Sequence, residues 1–282
     1  MHKVQIMQTQ FAIYDEVKSC RKANHRFFRI GAVTMFLHGK TYDIDELVRH
    51  NLHIHTRFSG CAKPEMIATD IIKTAEAAGL EMIAMTDHNY IDRQNAVAQQ
   101  RYDILREIKD LETSVKVYVG AELSAYGIGK FADDIACDNS LDYRLYTTNH
   151  YHQGYWEHPE NKTPRGYAEH MLAIVDGVIE SGRADCFAHP FMSGYIHAFD
   201  DFKDVTRAYT DNELGDIMAK ADAREIAWEI NVPAVMKDPD FHRRYFNIGR
   251  EVGVTFNMGT DAHKLCNIDP KQFAADLKKI LY

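Results

Sequence analysis

From residue 49 onward, short apolar runs alternate with helix-like segments, and that alternation commits the chain to a mainly parallel sheet. The runs expected to be strands are Glu81–Met85, Val115–Val119, Arg144–Thr147, Asp185–Ala188, Glu225–Ile230 and Val254–Met258, behind a first strand ending at His53-Ile54-His55. The segments between them carry recognisable helix ends. Pro64-Glu65 opens a helix that Gly79 stops, with Met66, Ile67, Ile71, Ala75 and Ala78 along one face. Pro164 opens another that runs to Gly182, Thr210 or Asp211 caps a third, and Pro239 starts a fourth ending near Gly253. A less regular helix is expected over Ile91–Leu111. An α/β barrel of roughly 250 residues would nearly fill a chain of 282. Residues 1–48 read differently: Phe27–Leu37 and Thr41–Ile44 flank His38-Gly39-Lys40 as two strands around a glycine turn. The expected division is an N-terminal extension over 1–48 and one domain over 49–282.

Composition narrows the class. Hydrophobic residues make up 45% and charged residues 26%, ordinary for a soluble globular domain. Apolar runs such as Ala32–Leu37 fall well short of the ~20 residues that span a bilayer. The opening MHKVQIMQTQFAIYDE lacks the basic start, apolar stretch and cleavage site of a signal peptide. A cytoplasmic protein without a membrane partner is expected. Five scattered cysteines (Cys20, Cys61, Cys137, Cys186, Cys266) offer no disulfide framework. A net charge of −8 weighs against a groove for long nucleic acid, although bound divalent cations would reverse the sign locally. Histidine is the informative count, at 15, far more than packing requires.

Those histidines follow a pattern. His53 and His55, two apart on a strand, present their imidazoles to one face and can grip one cation. Thr86-Asp87-His88 follows the strand Glu81–Met85, Glu122 follows Val115–Val119, and His150 follows Arg144–Thr147. His189 follows Asp185–Ala188, and Asp261 and His263, again two apart, follow Val254–Met258. In a parallel barrel the carboxyl ends of the strands converge on one face, where such folds place their chemistry. A lone histidine is more often a hydrogen-bonded core or surface residue, but chance does not readily place the whole set after apolar runs. Nitrogen and oxygen donors in this mixture suit Zn, Mn or Fe, and do not suit a soft thiolate site.

The ordered motifs HIHTRFS (His53–Ser59), AMTDHN (Ala84–Asn89), GAELS (Gly120–Ser124), TNHYH (Thr148–His152), AHPF (Ala188–Phe191) and GTDAH (Gly259–His263) resemble the PHP (polymerase and histidinol phosphatase) superfamily. WEIN (Trp228–Asn231) and SGRADCFAHP before His189 resemble its histidinol-phosphatase branch. The resemblance covers about residues 49–265. It implies a distorted (β/α)7 TIM-like barrel of the PHP type that binds two or three divalent metal ions, with His53, His55, His88, Glu122, His150, His189, Asp261 and His263 as metal ligands. It also implies that Asp87 orients a ligand imidazole and that Glu229 and Asn231 line the pocket floor. His152 rivals His150 within the same loop. Two departures stand out. Asn51 replaces the aspartate with which the family usually opens its first motif. Gly60 and Cys61 occupy the position where many members carry a further Asp or His, and Cys61 is either a thiolate ligand or an unligated thiol.

The activity implied is hydrolysis of a small-molecule phosphate monoester, histidinol phosphate first among them. Metal coordination brings the pKa of water from 15.7 to about 7 and so makes hydroxide available. No covalent phospho-enzyme is expected. His152 or His197, if protonated, would assist the leaving group, and Arg57 and Lys264 are the candidate cations for the phosphate. The segment Gly154–Arg165, with Tyr155, Trp156 and His158, is expected to form a lid or substrate wall, or equally an irregular packing around its aromatic residues. Two alternatives share the motifs: a phosphodiesterase or exonuclease acting on nucleotides or nucleic-acid ends, and a metal-binding scaffold without turnover.

Overall fold

Strands form where the apolar runs lie. They are β1 (His50–Ile54), β2 (Met82–His88), β3 (Lys116–Gly127), β4 (Lys130–Phe131), β5 (Arg144–Thr147), β6 (Cys186–Phe187), β7 (Ala227–Asn231) and β8 (Phe256–Gly259). The computed structural model describes residues 36–91, 96–133 and 140–282, which fall in one unit, Thr34–Tyr282. Seven strands run parallel in the order β1-β2-β3-β5-β6-β7-β8, and β4 pairs antiparallel with β3 alone. A parallel bridge between Ile54 and Ala262 joins the first edge to the last, through His55 N–H to Ala262 O at 2.9 Å and Ala262 N–H to His53 O at 3.2 Å. The result is the expected seven-stranded barrel.

The helices wrap its outside: α1 (Ile44–Leu47), α2 (Ala68–Ala77), α3 (Ala96–Ile108), α4 (Pro164–Ser181), α5 (Lys203–Arg207), α6 (Asp211–Asp222), α7 (Val232–Lys237), α8 (Pro239–Val252) and α9 (Ala274–Leu281). Their ends follow local chemistry. Thr163 caps α4 by accepting Gly166 N–H, Pro164 needs no donor at the first helical position, and Gly182 closes the helix at φ 66°. Thr210 and Glu213 form a reciprocal capping box on α6. On α4, Met171, Ile174, Val175 and Val178 are fully buried against the sheet, each contributing about 1.5–3 kcal/mol. No helix among the described residues is long and apolar enough to cross a membrane.

Three sequence expectations change. The helix expected from Pro64 begins at Ala68, because Met66 O is held by Arg57 N–H and the Ala68 N–H finds its acceptor on Glu107 of α3. Thr41–Ile44 is not a strand: Asp43 accepts Asp45 N–H and starts α1 instead, and Ile44, Leu47 and Val48 are buried in the main core. The barrel's packing therefore begins before residue 49. The first strand of that expected hairpin up to residue 35, with Cys20, lies outside the described residues, as do Cys137 and residues 92–95 of the expected Ile91–Leu111 helix.

The interior is layered. Leu52, Ala84, Leu145, Cys186, Ala188 and Ala227 form an apolar floor. Ile54, Ile83, Met85, Val117 and Val119 face outward onto the α2–α3 side. Leu52 and His53 both turn inward because the register between β1 and β2 slips between Asn51 and Ile54, a bulge of the kind that re-aims side chains beside active sites.

Candidate metal centre

Above the apolar floor, Glu122 is the hub. Its carboxylate is fully buried, and five imidazoles approach it from four strand ends. On the Oε2 side stand His53 Nε2 at 3.3 Å, His55 Nε2 at 3.5 Å and His88 Nδ1 at 2.9 Å; on the Oε1 side stand His189 Nε2 at 3.0 Å and His150 Nε2 at 3.5 Å. Glu122 does not follow its strand as expected. β3 continues five residues beyond it to Gly127, and Glu122 pairs in register with His88 on β2 and Leu145 on β5.

Asp261 completes the first group, with Oδ1 2.9 Å from His55 Nε2 and 3.4 Å from His53 Nε2, while the two imidazole nitrogens are 3.1 Å apart. Nitrogen and oxygen donors at 2.0–2.1 Å from one ion lie about 3.0–3.4 Å from each other, depending on geometry. The observed separations match that spacing, so the donor set fits divalent cations by distance as well as by chemistry. Two of these side chains are held in left-handed backbone, His189 at φ 31° and Asp261 at φ 51°. Non-glycine residues adopt that region at a cost of order 1–3 kcal/mol, met where the surroundings over-determine the geometry.

Outer contacts fix the imidazoles. Glu229 reaches His53 Nδ1 at 2.8 Å with one oxygen and accepts the backbone N–H of His189 with the other. A carboxylate carries no proton to give, so His53 donates from Nδ1 and keeps its lone pair at Nε2, toward Glu122. Gly259 makes room for this contact, since a Cβ there would lie 1.8 Å from Glu229 Oε1 and 2.7 Å from His53 Cβ. The carboxylate inside the apolar run AWEIN was the signal for this role.

Asp87 does not touch a ligand imidazole. Its oxygens accept Thr56 N–H at 2.6 Å and Thr56 O–H at 2.5 Å, clamping the turn that follows His55. Burial pushes its carboxyl up to about 7, against the lowering effect of those two bonds. Asn51 holds the backbone N–H of His53 at 3.3 Å and of Thr260 at 3.1 Å, and donates to Thr260 Oγ1 and Ile268 O, both at 2.7 Å. Asn231, expected on the pocket floor, caps α7 by accepting Ala234 N–H.

Burial strains the charges of this cavity. It opposes ionisation of Glu122, yet His88 and His53 hold that carboxyl well below its usual range. Burial likewise drives His55 down to about 3 and His150 well below the ordinary imidazole value. Against burial, the surrounding carboxylates raise His53 well above the ordinary imidazole value and Glu122 raises His88 to about 10, so these two must release protons as a cation binds.

The remaining expectations divide. His150, not His152, reaches Glu122. His152 is exposed at the rim, its ring 4.4 Å from Tyr195 and 5.3 Å from His150. Burial, His197 and His88 lower its pKa, so a protonated His152 at neutral pH is not what the site provides. His197 and Lys264 are exposed. Arg57 is turned away to pair with Glu107 and lie over Phe58, so it is not a phosphate cation. The Gly154–Arg165 segment is packed in place: Trp156 lies 5.7 Å from His150, and Tyr155 stands edge-on to Tyr126 of β3.

A PHP domain model matches residues 51–221. No curated protein is matched by the sequence. Among solved structures, the chain is similar to a crystal structure of histidinol phosphate phosphatase from Lactococcus lactis subsp. lactis Il1403, complexed with zinc, L-histidinol and phosphate. That likeness is 18% in identity, with a TM-score of 0.48, over 82% of this chain and 93% of that one.

Proposed function

The chain belongs to the PHP domain family, and on that premise we propose that it is a metal-dependent phosphoric ester hydrolase acting on a small-molecule phosphate monoester. One observation carries this reading: imidazoles and carboxylates from six strands, distant in sequence, meet around Glu122 at ligand-to-ligand distances. The bound cations would be Zn, Mn or Fe.

When present, such cations neutralise phosphoryl oxygens and acidify water to near-neutral pKa. The chain's own residues do the positioning. His53, His55 and Asp261 would hold one cation together with Glu122, and His150 and His189 would hold a second. Glu229 fixes the tautomer of His53 and the backbone of His189 together, so both positions share one brace. Trp156 walls the His150 side from water. His152 and Tyr195 stand at the mouth, where a neutral imidazole can hold the leaving hydroxyl by hydrogen bond. Lys264, exposed beside His263, and Lys237, whose Nζ lies 6.0 Å from the Tyr195 ring, are the candidate cations for the phosphate dianion, Arg57 being paired with Glu107.

The experiment is turnover of p-nitrophenyl phosphate against bis-p-nitrophenyl phosphate with added Mn or Zn, followed by L-histidinol phosphate, which WEIN and SGRADCFAHP make the first natural substrate to try. Monoester preference supports the proposal. Diester preference moves the protein to nucleotide or nucleic-acid-end chemistry, and the absence of metal-stimulated turnover on either ester sinks the hydrolase reading.

A further inference from the structure

We propose that Lys237 sets the preference of the site for a phosphate monoester over a diester, its ammonium meeting the second negative charge that only the monoester carries. The inference rests on the hydrolase reading above and deepens it, because it selects one of the two candidate cations and gives it a task.

The position follows from the chain. β7 ends at Asn231, which also caps α7, so α7 leaves the barrel from the carboxyl end, where the metal centre lies. Val232, Ala234 and Val235 are buried and hold the helix down, and Lys237 is its last residue, exposed. Asp238 then turns the chain into α8.

Three contacts aim the side chain. Its Nζ lies 6.0 Å from the centre of the Tyr195 ring and 5.1 Å from that of Phe202, within the range over which a ring face attracts a cation. Both rings belong to the loop after His189, which Ser193 closes by donating from Oγ to Phe202 O at 2.8 Å. The third contact is Gly194, where a Cβ would stand 2.3 Å from Nζ and 2.8 Å from Cε. The lysine stem therefore lies across bare backbone, and the missing side chain is what admits it.

Tyr195 connects this ammonium to the metal centre. Its ring lies 5.2 Å from that of His150, 4.4 Å from His152 and 6.4 Å from His189. Lys237 thus stands one ring away from the residues that would hold the second cation. Among the described residues its ammonium makes no ion pair, whereas Arg57 is taken by Glu107. Lys264 follows His263, whose Nδ1 lies 2.7 Å from the Asp261 carbonyl, but among the described residues no ring lies against the Lys264 side chain. A cation already held in place loses less side-chain freedom when it binds an anion.

The two ester classes differ at one oxygen. A monoester carries about −1.5 to −2 charge at neutral pH on three terminal oxygens. A diester carries one charge, and an organic group covers one of those oxygens. An ammonium at that position attracts the first and is stripped of water by the second, so one residue acts on both sides of the difference.

The test is steady-state kinetics of the full-length, Mn-loaded protein on p-nitrophenyl phosphate and bis-p-nitrophenyl phosphate, with inorganic phosphate as inhibitor. Lys237→Met should lower kcat/KM for the monoester about tenfold or more, mainly through KM, the loss expected of one charge-assisted contact. Diester turnover should hold or rise, and inhibition by phosphate should weaken by a similar factor. Lys237→Arg, which keeps the charge, should recover most of the monoester rate. Gly194→Ala, at a backbone position outside the left-handed region, leaves the lysine in the sequence but displaces its ammonium. It should shift selectivity in the same direction with metal content unchanged. An equal fall on both esters in Lys237→Met, or a loss of selectivity that follows Lys264→Met instead, overturns the proposal and leaves the hydrolase reading standing. A wild type inactive on both esters sinks the two together.

Discussion

At the residue scale, single side chains have divided duties that a motif does not display. Glu229 braces His53 and the His189 backbone at once. Removing its charge in Glu229→Gln keeps the size but weakens both contacts, and changes to such outer partners typically cost about 10–100-fold in metal affinity or activity. Metal titration of the variant should show a loss in that range, with the folded state retained by circular dichroism. An affinity equal to wild type would remove Glu229 from the site. Asn51 makes the opposite case. Its amide donates to Thr260 Oγ1 and Ile268 O while its oxygen accepts two backbone N–H groups. Asn51→Asp would place a carboxylate against a carbonyl in a fully buried position, leaving that acceptor unpaired at a cost of about 1–3 kcal/mol. A lower Tm with no gain in metal affinity is expected. Higher affinity would show that a carboxylate, the family's usual residue, still has work to do here.

At the element scale, the gathering of these donors was legible because strand ends are legible: apolar runs stop where polar donors begin, and a parallel barrel brings those stops together. His53, His88, His189 and Asp261 all lie where that logic places them. What the sequence did not display depends on register and backbone. Glu122 sits within a strand rather than after it, since Leu123 and Ala125 continue the run into the pairing with β4. The β1 bulge, the positive φ of His189 and Asp261, and the turning away of Arg57 to Glu107 all come from long-range contacts that no local pattern encodes. Gly259 on β8 tests this scale. Gly259→Ala has no space between Glu229 and His53, so β8 must retreat from β7 and β1. Loss of metal and a lower Tm are expected, while Gly154→Ala, where a Cβ would meet nothing within 4 Å, should behave as wild type. Equal metal content in Gly259→Ala and wild type would mean the close approach is not needed.

At the scale of the whole molecule, stability and acidity are linked through histidines outside the metal centre. Burial, with His38 beside it, lowers His50 to about 4, and burial lowers His242 on α8 as well. Both are therefore neutral in the folded protein and free to take a proton near 6.5 once unfolded. The sign for these two groups follows: they bind protons more tightly in the unfolded chain, so their contribution to stability is full above about pH 6.5 and falls as pH drops toward His50's folded value of about 4, while Asp87, raised to about 7, and His88, raised to about 10, work the other way. Cations complicate that window, because ligand imidazoles release metal as they protonate. The measurement belongs on chelated protein, with Tm recorded from pH 7.5 down to 4.5. Relative to wild type, His50→Gln, which cannot take up a proton, should lose less Tm as the pH falls across the window. Adding saturating Zn at pH 7.5 should then raise Tm above the chelated value, since a ligand at 100 times its Kd stabilises the folded state by about 2.7 kcal/mol. Parallel slopes for wild type and His50→Gln would mean that this histidine keeps its proton in the fold, and that acid sensitivity arises in the metal centre itself.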